Sequence, residues 1–96
     1  MNYAFFEWDD VKDAYNQQKH DVSFTEAQEA FFDEDRITAV DKSHSNLVET
    51  RYYCIGKIER GVVTVRFTFR NQNIRIIGAG FWRKGKKDYE EKNCIH

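Results

Sequence analysis

Three arginines, Arg51, Arg70 and Arg75, fall on three successive stretches of alternating apolar residues, and in each stretch the arginine takes the non-apolar face. Guanidinium forks on neighbouring strands suit a phosphate, because each presents parallel N–H donors to its oxygens. If such a site also cut an RNA chain, more than charge would be needed. The 2′-OH has to lose a proton, the negative charge growing at phosphorus has to be stabilised, and the leaving 5′-oxygen has to gain a proton. The side chains able to move protons are Tyr89, Glu90, His20 and His44. Around them stand Arg66, Arg83, Lys84, Lys86 and Lys87 for backbone contacts, with Trp82 as a ring on which a base could stack.

Each candidate has a plainer role to set beside the chemical one. Like charges facing one another across a sheet repel, so Asp and Glu from the N-terminal helices are expected to neutralise the arginines if no anion does. His20 closes a helix, where the dipole favours its charged form. His44 lies in a polar loop, and Tyr89, Trp82 and Phe81 can pack as well as stack.

The elements that must position these groups follow from periodicity. Tyr3 to Trp8 is an aromatic run that suits a first strand or an extended lead-in. Asp9 or Asp10 caps a helix on which Val11, Ala14, Tyr15 and Gln18 recur at helical spacing and which stops near His20-Asp21. Ser23-Phe24-Thr25-Glu26 forms a capping box for a second helix, with Phe24, Ala27, Ala30 and Phe31 as its buried stripe. Beyond Arg36 the period becomes two. Strands are expected at 37–40, 51–58, 62–70 and 74–79, the last three joined by two-residue turns at Arg60-Gly61 and Gln72-Asn73. That register pairs Tyr52 with Phe69 and Phe69 with Ile76 on the apolar face, and puts Gly78 there as well. On the other face it sets Arg51, Arg70 and Arg75 in one row. A basic helix from Trp82 or Arg83 to about Asn93 follows, with Gly85 as its weak point. The expectation is one α+β domain over residues 1–96: two N-terminal helices, an antiparallel sheet of about four strands and a C-terminal helix.

The totals narrow the function. Of the 96 residues 41% are hydrophobic and 16% aromatic, enough for one core and too few residues for two. The formal charge of −1 hides an asymmetry. Residues 1–35 carry two bases against ten acids, a formal −8, while residues 36–96 carry thirteen bases against six acids, a formal +7. No acidic residue lies between Glu59 and Asp88. Half of the chain is built for an anion, which points to RNA. No stretch has the length of a membrane span and the N-terminus lacks the form of a signal peptide, so a cytoplasmic protein without membrane contact is expected. Cys54 is expected as a buried thiol. The Cys94-x-His96 pair has no second ligand cluster, so neither metal nor cofactor is expected.

In order along the chain, Phe6-Glu7-Trp8-Asp9, Lys12, Asn16, Lys19-His20, Val22-Ser23-Phe24, Ala27, Phe31, His44-Ser45, Glu49-x-Arg51-Tyr52, Ile55-Gly56, Thr68-x-Arg70, Ile74-Arg75-Ile76-Ile77 and Tyr89-Glu90 resemble the pattern of the BrnT toxins of bacterial type II toxin–antitoxin systems. The resemblance implies a RelE-like fold, metal-independent ribonuclease activity and neutralisation by a BrnA-like antitoxin. Such an antitoxin is a small ribbon-helix-helix protein, so DNA would be met only through it. One departure stands out: where the family commonly has Ser and Arg, this chain has Gly78 and Gly80. A binding module that holds RNA or a partner on the same basic face, without catalysis, therefore stands as the alternative.

Overall fold

A computed structural model describes residues 5–94, so residues 3 and 4 of the expected first strand, and His96, lie outside the described residues. Strand β1 is short, Phe6–Glu7, and helix α1 spans Asp10–His20. Asp9 caps α1 by accepting from the amides of Val11 (2.8 Å) and Lys12 (3.1 Å), and Asp21 ends it in the left-handed region at φ 58°. Helix α2, Phe24–Ala27, starts on Ser23, whose hydroxyl accepts from the Glu26 amide at 3.0 Å, and tightens into a 3₁₀ turn over Gln28–Phe32. The box is half made. Glu26 turns its carboxylate to Arg60 (2.6 Å) instead of back to Ser23.

Strands β2 (Ile37–Val40), β3 (Tyr52–Ile58), β4 (Gly61–Arg70) and β5 (Asn73–Gly80) complete a sheet of order β1-β5-β4-β3-β2, and helix α3 (Arg83–Lys92) closes the chain. The α+β class stands, but the sheet has five strands and is mixed, because β1 pairs with β5 in parallel. β1 falls inside the aromatic run expected as a first strand or lead-in, but two residues are too few to show a periodicity, and nothing local announces the parallel pairing.

Both hairpins differ in register from the expected one by a single step of the turn. Glu59-Arg60 makes the first turn, with Ile58 opposite Gly61 and Tyr52 opposite Phe67. Asn71-Gln72 makes the second, both at positive φ (51° and 68°), with Arg70 opposite Asn73 and Phe67 opposite Ile76. Asn tolerates that conformation well, and the sequence offers one at both 71 and 73. Sliding each turn by one position keeps every side chain on its face but changes its partner. A bulge then breaks the rule: Arg66 faces Gly78 while Phe67 faces Ile76, so Ile77 is left without an opposite number. Ala79 therefore joins the core beside Val65, and Gly78 and Gly80 move to the other face. The expected core position of Gly78 is corrected accordingly.

The core lies between one sheet face and the α2 region: Phe24, Ala27 and Ala30 meet Cys54, Val63, Val65, Phe67, Ile74 and Ile76, all 1% exposed or less. Burial pushes the Cys54 thiol up to about 11. Helix α3 covers part of the opposite face, with Gly85 set down on Thr64 and Ile55. Helix α1 lies along the β5 edge by a polar contact. Buried Asn16 donates to the carbonyls of Val22 (2.9 Å) and Ala79 (3.0 Å) and accepts from the Ala79 amide (3.2 Å). The residues that recur at helical spacing on α1 stay outside, Val11 at 77% and Tyr15 at 60% exposure.

Candidate functional site

The second sheet face carries the basic residues, but the row of three arginines does not exist. Arg70 stands opposite Asn73, Arg75 stands opposite Thr68, and Arg51 precedes β3. Each has a carboxylate. Glu49 binds Arg51 at 2.6 Å and approaches Arg70 at 3.7 Å; Glu7 binds Arg75 at 2.8 Å and also accepts from Asn73 at 3.0 Å. These contacts hold both glutamates below the ordinary carboxylate value, Glu7 first through Asn73 and then Arg75, Glu49 first through Arg51. The neutralising acids come from β1 and from the loop before β3. The two N-terminal helices, expected to supply them, do not.

Tyr89 and Glu90 stand elsewhere. The buried Tyr89 hydroxyl donates to Asp33 at 2.6 Å, and the Lys57 amide donates to the same carboxylate oxygen at 2.7 Å. Burial and then that bond raise the Tyr89 phenol well above its ordinary value. Glu90 lines a hollow of about 400 Å³ with Lys57, Arg60 and Lys86 on one flank of α3. Arg60 there is held by Glu26 and Asp21 and lies 5.0 Å over the Phe81 ring. Its fork is spent.

On the other flank of α3 lies a groove of about 470 Å³. Its floor is Tyr53, Ile55, Thr64 and Arg66 from β3 and β4; one wall is Trp82, Lys84, Gly85 and Asp88, the other Asp41 and Ser43. Arg66 differs from the other sheet arginines. No carboxylate among the described residues pairs with it, and its guanidinium is instead 5.8 Å over the Trp82 ring. A ring face holds the cation without consuming its N–H donors.

One of the two glycines, Gly80, explains how the ring gets there. A Cβ on Gly80 would stand 2.4 Å from the Trp82 ring, so Trp82 lies flat on bare backbone. A Cβ on Gly78 would reach Arg66 at 3.8 Å, an ordinary contact. The edge of Trp82 meets His20, ring centroids 5.2 Å apart. Thus α1, β4, β5 and the N-cap of α3 each give one residue to the cluster of His20, Arg66, Gly80 and Trp82.

Lys84 is tied to Asp88 at 2.7 Å and Lys87 lies 4.0 Å from Glu91. Arg83 and Lys86 are exposed. Trp82 caps α3 with no side-chain bond. His44 sits just outside the groove wall, bonded to Asp41 and Ser43. Among the sequence candidates the structure thus gathers Arg66, Trp82, Lys84 and His20 about one groove, with His44 at its rim. It leaves Arg51, Arg70 and Arg75 in ion pairs and Tyr89 and Glu90 on the far side of α3. Tyr53 and Asp41 were not among the candidates. Tyr53 alternates with the apolar residues of β3, which marks its face but not its neighbours.

Residues 8–86 match the family described as the ribonuclease toxin, BrnT, of type II toxin–antitoxin systems. The chain belongs to the BrnT family. No curated protein matches it. BrnT toxins are ribonuclease toxins by that description, so an antitoxin partner and an RNA substrate belong to the family. Among the described residues no helix is long and apolar enough to cross a membrane.

Proposed function

We propose that this BrnT-family chain is a metal-independent endoribonuclease of the cytoplasm, and that it holds the scissile phosphate of single-stranded RNA on Arg66. The observation that carries this reading is a contrast among the arginines of this face: Arg51 and Arg75 are each bonded to a carboxylate and Arg70 stands 3.7 Å from one, whereas Arg66 is held by a tryptophan with its fork open to a groove. A preorganised cation of this kind is worth roughly 3 kcal/mol to a transition state that gains negative charge. Tyr53 on the floor offers a ring to an unpaired base, and exposed Arg83 and Lys86 extend the positive surface along the strand. A BrnA-like ribbon-helix-helix antitoxin neutralises the enzyme, and DNA is reached only through that partner.

The test is degradation of single-stranded RNA in EDTA by the purified protein. Arg66→Ala is expected to remove most cleavage, about 10²-fold, while Arg70→Ala, which leaves Glu49 its Arg51 partner, costs much less. Equal losses in both variants would place the phosphate on the ion-paired arginines instead. A second reading, a non-catalytic RNA-binding module, draws on those occupied arginines. It predicts salt-sensitive RNA binding with no cleavage and no growth arrest on induced expression.

A further inference from the structure

We propose that His44 is the proton-transfer group of this groove and that Asp41, with Ser43, is the residue pair that positions it. The inference rests on the ribonuclease reading above. Asp41 sits in the groove wall with 14% side-chain exposure, while His44 beside it is 50% exposed. His44 Nδ1 lies 2.8 Å from Asp41 Oδ2, the Ser43 hydroxyl donates to Asp41 Oδ1 at 2.9 Å, and the same hydroxyl is 3.1 Å from His44 Nδ1. Burial raises the Asp41 carboxyl, yet the bonds from Ser43 and His44 outweigh it and keep the group below its ordinary value. An ionised carboxylate only accepts, so Nδ1–H is the donor to Asp41, and in the neutral ring the lone pair is left on Nε2. Nε2 has no protein partner among the described residues. That is the state of a general base held by an orienting acid.

The rival groups lack this arrangement. Tyr89 donates to Asp33, Glu90 is on the other flank of α3, and His20 meets the Trp82 edge with no carboxylate bonded to it. The charged and titratable groups that face the Asp41–His44 pair across the groove are Tyr53 and Arg66 from the sheet and Lys84 and Asp88 from α3.

The step balances simply. His44 Nε2 takes the 2′-OH proton as O2′ bonds to phosphorus. The P–O5′ bond breaks, leaving a 2′,3′-cyclic phosphate, and O5′ takes a proton from water. The imidazolium then returns its proton to solvent. Arg66 meets the negative charge on the non-bridging oxygens throughout.

The experiment follows kcat and KM against pH for cleavage of a single-stranded RNA in EDTA, with nitrogen NMR of the His44 ring. The wild-type rate should rise with pH along a single-proton limb to a plateau, and the neutral ring should be protonated on Nδ1. His44→Ala should lose that limb and about 10²-fold in kcat, with partial rescue by added imidazole. Asp41→Asn should lower kcat at least about tenfold at unchanged KM and mix the tautomers, with the thermal transition near that of the wild type. A merely structural Asp41 would move the transition and leave the tautomer alone. A wild-type ring protonated on Nε2, or a His44→Ala protein that keeps both rate and pH limb, overturns the assignment and leaves the ribonuclease reading intact. A wild-type protein that cleaves no RNA overturns both.

Discussion

An arginine paired with a carboxylate has part of its charge already answered, and one held by an aromatic ring keeps its donors free. Arg66 is the second kind because Trp82 lies on Gly80. Gly80→Ala puts a methyl 2.4 Å from the ring and should expel it. The expected result is a changed tryptophan fluorescence, a stability loss of about 1–3 kcal/mol from overpacking, and RNA binding weaker by about 0.5–1 kcal/mol, the worth of an exposed cation–π contact. Gly78→Ala is the control. Its methyl meets only ordinary contacts at 3.8 Å and should leave all three readings near wild type. Both glycines were visible as departures from the family pattern. Their consequence was hidden, because no spacing rule says that a ring two residues later folds back over the backbone.

Elements with a local cause were legible, and those fixed by a distant one were not. The Asp9 and Ser23 caps sit beside the amides they serve, and the 2-residue period of β3 to β5 follows from a sheet with one buried face. The turn positions, the β5 bulge and the polar seat of α1 depend on partners far along the chain. Helix α3 shows the same division. Its basic composition is plain, but its anchor is Tyr89 reaching Asp33, where the Lys57 amide also ends. Tyr89→Phe should cost about 1.5 kcal/mol in urea unfolding, the lower end for a bond to a charged acceptor, since Asp33 is only partly covered. The phenol also sets an alkaline limit. Its value is raised in the fold, so its contribution is complete below about pH 10 and erodes as the pH climbs beyond that. Tyr89→Phe should blunt that alkaline loss, as read by thermal transitions between pH 9 and about 12.

Across the whole molecule, the acidic first third and the basic remainder are stitched together. Glu26 and Asp21 hold Arg60, Glu7 holds Arg75, and Asp33 holds β3 and α3. Glu7, Asp9, Glu26, Asp33, Asp41 and Glu49 all lie below their ordinary values of 3.8 for Asp and 4.5 for Glu. Depressed carboxylates stabilise the fold above those values and lose that contribution as the pH falls through and beneath them. Thermal transitions should therefore stay level from pH 7 to about 5 and drop steeply below about 4; a level profile down to pH 3 would contradict the ion-pair stitching. RNA binding should weaken with salt, and less steeply in Arg66→Ala, since one phosphate contact is gone.

Asn16 has a wider consequence. A sheet edge with bare amides and carbonyls invites a strand from another molecule, and among the described residues β1 pairs with β5 at Ile74 and Arg75. Further along, at Ala79, one amide side chain satisfies both backbone groups. At that point of the edge, beneath α1, both backbone bonds rest on a single residue. Asn16→Leu, of similar size, should leave the hairpins folded yet drive concentration-dependent assembly, visible as rising light scattering that dilution reverses.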